Sequence, residues 1–581
     1  MNGVTGFAIG AMNGIENHIG NLPVGETIIF DIAVILIISA MLAFIAKILK
    51  QPLIPAYVLT GLIIGPLVFG FIKNLDLIYA FSEIGIAFLL FTAGLEISFR
   101  KIKEANLKKI ALIGLLQVGI IFGIAFSLAG FLGLSSLQAA YVGIILAFGS
   151  TMVDIKLLAD RNELVTLHGR LILGILLLQD LVAIIAIVVF TTGGFTIVPI
   201  MVAFAKLAAI LVVAVVLQKY ILNKLFKFAA RSNELLLLSS LAVLFLFIIL
   251  AYIFDLSIVI GAFIAGVSLA NSPFKMELGS RIAPLRDFFA ILFFVALGMQ
   301  IVFGGIGERL FLLGALLVGA FVIKPFITLI LLRITGYQPR TSFLTAISLA
   351  QLSEFSLIIG LIGYNLGVLD MGLLSTIILA TIITMSITPY FISFKKGFYR
   401  IFKSPIDMLK FLPVRNGLEY TKKGDREILL VGLHRLGGAF MKELLEKKDK
   451  LLVVDYNPEI INALREKKIA CIYGDITSPE LLDKIDMKKL KLVISTIPDY
   501  EDSLHLLKKI KSANHSVKII MTGSRISETL NLYKKGADYI ITPKVIAGQE
   551  LANIIHGEKI DLKKAKRKHL RHLDGIHKLL Y

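Results

Sequence analysis

Leu171–Phe190 reads LILGILLLQDLVAIIAIVVF, apolar throughout except for Gln179 and Asp180 at its middle. A run of about 20 apolar residues forms a helix that crosses a bilayer, which puts this pair near mid-membrane. A charged side chain at that depth costs about 3 kcal/mol on insertion scales. An acid there is stable only when protonated or paired with a cation. Competition between proton and cation for one carboxylate is what an ion exchanger requires.

The rest of the chain fits a membrane protein with a soluble appendage. Its 581 residues are 57% hydrophobic with a mean hydropathy of +0.84, yet the last third is charged and of ordinary polarity. The one cysteine, Cys471, excludes a disulfide framework, and no cluster has metal-ligand spacing. The net charge of +19 does not indicate a nucleic-acid binder, because much of it lies in short loops between apolar runs.

Hydropathy marks about thirteen spans, near 27–49, 53–71, 77–97, 108–132, 137–158, 168–192, 196–221, 233–253, 256–271, 284–304, 309–333, 341–364 and 371–394. Every second loop, beginning after the first span, is basic: Lys47 and Lys50, Arg100 to Lys109, Lys156 and Arg161, Lys219 to Arg231, Lys275 to Arg286, Arg333 and Arg340, Lys395 and Lys396. The opposite loops hold little beyond Lys73 and Arg309. This positive-inside pattern puts residues 1–26 outside and everything after 395 in the cytoplasm of a multi-pass protein of the inner or plasma membrane.

Two other spans carry polar interruptions. AFGSTMVDIKLL (147–158) places Gly149, Ser150, Thr151 and Asp154 in an apolar run, and ISLAQLSEFSLIIG (347–360) places Gln351, Ser353 and Glu354 likewise. Such breaks at related positions of two halves point to discontinuous helices whose exposed backbone ends coordinate ions. Lys324, beside Pro325 within LLVGAFVIKPFITLILL, reads as counter-ion to a core carboxylate, Asp180 or Glu354. Lys206, Asp31 and Glu83 read as structural or helix-end charges.

From residue 425 the period changes. EILLVGLHRLGGAFMKELLEKK (427–448) runs strand, Gly-rich turn, helix; LLVVDYNPE, KIACIYGD, KLVISTIPD, KIIMTG and ADYIITP are further strands with helical patterns between. This alternation predicts a parallel, doubly wound α/β domain of Rossmann-like type. Gly432, His434, Arg435 and Gly437 form the turn, where backbone N–H groups attract phosphate, and Asp455 ends the next strand, where an acid binds a ribose diol. His434 replaces the usual middle glycine, which favours an adenine nucleotide such as AMP over NAD(H). Asp475 and Arg525 occupy strand ends facing the same crevice. The expected organisation is an extracytoplasmic segment (1–26), a transmembrane domain (27–394), a cytosolic linker (395–424), the regulatory domain (425–545) and a basic tail (546–581).

RNELVTLHGRLILGILLLQDLVAI (161–184), with GLIIGPLVFGFI, FSEIGIAFLLFTAGLEI, IGAFIAGVSLANS, FFVALGMQI and LAQLSEFSLI, resembles Kef-type potassium-efflux transporters of the monovalent cation:proton antiporter-2 family. The soluble domain resembles the TrkA-N (RCK) nucleotide-binding type. The resemblance implies a homodimer of inverted repeats, with spans four to six and eleven to thirteen as a mobile core in which the fifth and twelfth cross as broken helices. It makes Gln179–Asp180 the family's ion-binding pair, with Asp180 taking proton and cation in turn. Lys324 matches a Kef-type lysine. Asp154 departs from the pattern, which has an apolar residue there; it either adds a cation ligand or pairs with Lys156. Potassium follows from the family and sodium from the extra carboxylate, with potassium favoured. The resemblance also implies glutathione or an adduct as ligand and an ancillary flavoprotein-like subunit. It further implies an inhibitory contact on the loop after the ninth span, where Glu277, Arg281 and Arg286 stand. A non-enzymatic cation/proton antiporter is the reading that results. The alternatives are an RCK-regulated potassium channel, disfavoured by the lack of a TVGYG-like filter, and a non-transporting nucleotide sensor.

Overall fold

The computed structural model describes residues 24–49, 51–72, 75–96, 107–160, 163–164, 166–191, 197–230, 232–270, 272–302, 307–402, 419–420, 426–433, 441–455, 457–474, 476, 479–482, 485–497, 499–523, 525–543 and 545–549. The chain divides into two compact units, with the main boundary between Pro413 and Val414.

The first unit is helical. It comprises α1 (Val24–Ile48), α2 (Leu53–Ile64), α3 (Leu75–Glu96), α4 (Leu107–Phe131), α5 (Ser136–Ala147), α6 (Thr151–Asp160), α7 (Leu167–Phe190), α8 (Ile197–Ala229), α9 (Asn233–Ile253), α10 (Ile258–Leu269), α11 (Lys275–Met299), α12 (Leu310–Ile334), α13 (Pro339–Ser348), α14 (Glu354–Asn365), α15 (Met371–Ser393) and α16 (Lys395–Ile401). Among the described residues, nine helical stretches are long and apolar enough to cross a membrane. Shorter apolar stretches fall at Leu53–Ile64, Ala80–Leu95 and Ile258–Leu269. Each of the expected spans finds a helix, or a pair of half-helices, at its place. The expected fifth span is α5 and α6 with a break at 148–150, and the twelfth is α13 and α14 with a break at 349–353.

The breaks have local causes. Phe148 is extended, and the Ser150 hydroxyl accepts from the Val153 N–H, which restarts the helix. Ser353 caps α14 by accepting from Phe355 N–H, and Ser356 returns a bond to Ser353 N–H. The tenth span departs from expectation at its start. PFKMELGSRIAPLRDFF, read as a loop, is mostly the first turns of α11, which runs from Lys275 through Pro284. A polar first half hid that helix from hydropathy, and proline inside it removes one backbone bond without ending it.

Glycines set how closely helices of this unit cross, most tightly at two reciprocal pairs. A Cβ at Gly61 would lie 1.9 Å from the Val295 carbonyl, and one at Gly298 would lie 2.1 Å from that of Val58. The pair Gly94 and Gly266 repeats this, at 2.3 Å from the Phe263 carbonyl and 2.0 Å from the Phe91 carbonyl. Backbones therefore touch directly where α2 meets α11 and where α3 meets α10, the close approach that small residues permit in membranes.

The second unit is a seven-stranded sheet ordered β1-β4-β3-β2-β5-β6-β7, built from β1 (Glu419–Tyr420), β2 (Ile428–Val431), β3 (Leu451–Asp455), β4 (Cys471–Tyr473), β5 (Leu492–Ser495), β6 (Lys518–Thr522) and β7 (Tyr539–Ile541). All pairings are parallel except β1 on β4. Alternate residues bury opposite faces: Leu429, Val431, Leu452 and Val454 join one core, while Ile428, Leu430, Leu451 and Val453 join another. That is the two-sided burial of a doubly wound sheet. The expected linker 395–424 is partly structured. It begins as α16 and contributes β1, whose extended backbone satisfies the open edge of β4.

Candidate ion site

The two helix breaks meet. Gln351 Nε2, in the second break, donates to the Ser150 carbonyl of the first at 3.2 Å, and the Ser356 hydroxyl donates to the Ile145 carbonyl at 2.8 Å. Each break exposes the carboxyl end of one half-helix and the amino end of the next, with partial charges that need partners. The carboxyl ends share one cation. The buried Lys324 Nζ donates to the Phe148 carbonyl at 2.6 Å and the Gln351 carbonyl at 2.8 Å. The expected counter-ion pairing of Lys324 with Asp180 or Glu354 is thus corrected: its hydrogen bonds go to the Phe148 and Gln351 backbone carbonyls, and the carboxylate whose charge acts on it is that of Asp154. At the amino ends, Asp154 lies in the first turn of α6 and Glu354 in the first turn of α14, where an acid complements the helix dipole.

Asp154 is fully buried, with Oδ1 accepting from Gln351 Nε2 at 3.1 Å and Oδ2 without a hydrogen-bond partner. The expected alternative of pairing with Lys156 falls away. Residues two apart on a helix face different sides, and Lys156 is exposed.

Asp180 stands beside this crossing, half-buried on α7, and its Oδ2 accepts from the Thr151 hydroxyl at 2.9 Å. Gln179 is fully buried, and its Oε1 accepts from the Gly149 N–H freed by the break, at 2.9 Å. The structure therefore gathers Ser150, Thr151, Asp154, Gln179, Asp180, Lys324 and Gln351 around one point, with Ser353 and Glu354 opening the half-helix behind it. Four polar groups of this region were not singled out from sequence. Thr388 donates to the Ala350 carbonyl and Thr384 accepts from Leu352 N–H, so α15 satisfies the second break; Gln117 and Thr328 bond each other near the first.

This broken-helix crossing with an acid beside it is the setting in which the sequence comparison decides the family. The family described as sodium/hydrogen exchanger, transmembrane, matches residues 32–394, and the TrkA-N domain matches residues 428–543. The chain belongs to the sodium/hydrogen exchanger family. The glutathione-regulated potassium-efflux system protein KefC of Klebsiella pneumoniae is 28% identical to this exchanger over 509 residues, covering 86% of this chain and 80% of that protein. KefC of Escherichia coli is 28% identical over 507 residues, with the same coverage. The sodium proton antiporter MjNhaP1 of Methanocaldococcus jannaschii shares the fold of the membrane part, with a TM-score of 0.50 at 18% identity, covering 63% of this chain and 96% of that one.

In the exchanger's TrkA-N domain, Gly432 follows β2 directly with φ +82°, and Asp455 ends β3. The Asp455 carboxylate accepts from the backbone N–H groups of Leu433 and Asn457, both at 2.7 Å, and so ties the turn to the neighbouring strand. Arg525 is exposed before the helix Ile526–Lys534, 3.8 Å from Glu528. His434, Arg435, Gly437 and Asp475 lie outside the described residues. In the membrane unit, Glu277 sits in the first turn of α11, Arg281 donates to Asn233 at 2.6 Å, and Arg286 pairs with Asp287 at 2.8 Å.

A charge cluster between spans concerns stability. Glu163 lies 2.9 Å from His168 Nε2 and forms an ion pair with Lys395, the first residue of α16. Burial alone would raise the Glu163 carboxyl, but the His168 hydrogen bond and the Lys395 charge outweigh it and bring it from 4.5 to about 2. A folded value below the unfolded one stabilises the protein above about pH 4.5, and that stabilisation is lost as pH falls toward 2. Glu163→Gln is expected to cost roughly 3 kcal/mol near neutral pH. Thermal unfolding in detergent checks this: the gap from wild type should close as the buffer is acidified, and a constant gap would contradict it.

Proposed function

We propose that this protein is a monovalent cation/proton antiporter working by alternating access, with K+ as the preferred cation and a cytosolic TrkA-N domain as its gate. Asp180 carries either the proton or the cation. The observation that supports this most directly is the Asp180 carboxylate itself, half-buried in an apolar helix and held by Thr151 at the start of a half-helix. Thr151, Ser150 and Gln179 supply neutral oxygens around it. Lys324, Asp154 and Glu354, with Gln351 and Ser353, neutralise or cap the broken helices. One Asp that binds one proton or one monovalent cation gives electroneutral one-for-one exchange. Potassium is favoured by likeness to potassium-efflux proteins. It is also favoured because Asp154, the acid that pointed toward sodium, has one oxygen committed to Gln351 and stands at a helix amino end.

In this reading the protein is a homodimer of the inner or plasma membrane with residues 1–26 outside, a transmembrane domain over 27–394 and its regulatory domain over 425–545 in the cytoplasm. The crevice at the ends of β2 and β3 suits an adenine nucleotide, AMP before NAD(H): Gly432 allows the sharp turn, and Asp455 stands at the ribose position. His434, Arg435, Gly437, Asp475 and Arg525 complete the proposed ligand set. Glutathione or an adduct, a flavoprotein-like subunit and an inhibitory contact through Glu277, Arg281 and Arg286 are the regulatory partners of this reading.

Purified protein in liposomes loaded with a pH-sensitive dye tests it. Under an imposed proton gradient, K+ should collapse the gradient more effectively than Na+. Cation flux without proton movement would replace the antiporter by a channel.

A further inference from the structure

The hydrogen bonds around the first helix break close into a ring. Gly149 N–H donates to Gln179 Oε1 at 2.9 Å, and Gln179 Nε2 donates to Gln117 Oε1 at 3.1 Å. Gln117 Nε2 donates to the Thr328 hydroxyl at 2.6 Å, and that hydroxyl donates to the Lys324 carbonyl at 2.7 Å. The Lys324 ammonium then donates to the Phe148 carbonyl, the neighbour of Gly149, at 2.6 Å. Four helical elements contribute: α4, the broken α5–α6 pair, α7 and α12. Gln117, Gln179, Lys324 and Thr328 are all fully buried.

The ring has a polarity. An amide can present either its oxygen or its nitrogen to a neighbour. The Gly149 N–H requires the Gln179 oxygen on its side, and Gln117 receives the Gln179 nitrogen on the other. Gln117 can present its own oxygen only because its nitrogen is taken by Thr328, whose proton is directed to the Lys324 carbonyl. Each bond thus fixes the sense of the next, and Gln179 precedes Asp180 on the same helix turn.

We infer that Gln117 is a positioning residue for ion exchange: oriented by Thr328, it holds Gln179 directly in the orientation that keeps the helix break, and with it Thr151 and Asp180, in ion-binding geometry. This rests on the reading of Asp180 as the ion-binding group. Gln117 acts through Gln179 and touches no reacting atom.

The test compares wild type with Gln117→Leu, Thr328→Val, Gln179→Leu and the double variant Gln117→Leu/Gln179→Leu, with Asp180→Asn as reference. One assay is exchange in liposomes over a range of K+ concentration and pH. The other is K+-dependent thermal stabilisation of the detergent-solubilised protein, which needs no flux. Losing a buried hydrogen bond of ordinary strength should raise the half-saturating K+ concentration about tenfold in Gln117→Leu, and less in the near-isosteric Thr328→Val. The pH of half-maximal exchange should move with it. The double variant should be no worse than Gln179→Leu, because Gln117 has no other route to the site.

A variant that only melts earlier, with unchanged K+ dependence and pH profile, would overturn the positioning role, as would additive effects in the double variant. Exchange that survives Asp180→Asn would instead overturn the reading of the acid. Absence of K+-dependent stabilisation in wild type would remove both.

Discussion

Asp180→Asn is expected to abolish exchange while leaving the protein folded. Asparagine keeps the shape of the side chain and still accepts from the Thr151 hydroxyl, whose 2.9 Å bond holds the carboxylate in place. What disappears is the group that can be either anionic or protonated. Without it the site neither releases a proton nor attracts a cation, so gradient collapse should fall to that of protein-free liposomes for K+ and Na+ alike. Thermal stability should hold or rise, because a charge buried in apolar surroundings costs folding energy. Retained exchange would move the ion site to Asp154 or Glu354, the other buried acids at the crossing.

Lys324→Met is the second large effect. Its ammonium is shared between two carbonyls at the carboxyl ends of two half-helices, and each charge-assisted bond contributes about 1.5–3 kcal/mol. Removing it leaves both carbonyls buried without their donor and both helix ends without a positive partner. The expected loss is roughly 3–5 kcal/mol, read as a lower melting temperature in detergent. Lys324→Gln, which still donates, should recover part of it. The double variant Lys324→Met/Asp180→Asn separates carbonyl capping from a counter-ion role. A cap cannot be rescued by neutralising Asp180, so Asp180→Asn should change the stability of Lys324→Met by no more than it changes that of wild type; recovery beyond that would restore the pairing read from sequence.

The difference over Lys324 shows what a sequence can carry. A lone lysine in an apolar span announces a buried charge, and the letters point to a side-chain partner because side chains are what they name. Backbone carbonyls carry no letter, and only the meeting of two breaks brings Phe148 and Gln351 to one ammonium. Asp180, Gln179 and the two breaks were legible because each is polar, or a helix-interrupting glycine or serine, inside a hydrophobic run. Gln117 is also polar inside a hydrophobic run, but no second polar residue stands beside it to mark a site. Thr328, Thr384 and Thr388 were not legible, since a threonine in a membrane helix ordinarily bonds its own backbone, as Thr328 does to Lys324 and Thr388 to Thr384. The α/β domain followed from its alternating period. β1 did not, because a two-residue edge strand is decided by the neighbour that needs it, not by propensity.

The glycine crossings of Gly61 with Gly298 and Gly94 with Gly266 bear on how any movement of this protein can be shared out. Two backbones pressed together at a notch one residue wide behave like meshed gear teeth. Sliding either helix along its axis would drive a neighbouring side chain into the opposing chain, so these joints resist shear. The crossing of the two helix breaks is held instead by side-chain hydrogen bonds, which can change partners without one backbone having to pass another. Helix α2 is therefore locked against α11, and α3 against α10, so that each pair moves as one piece.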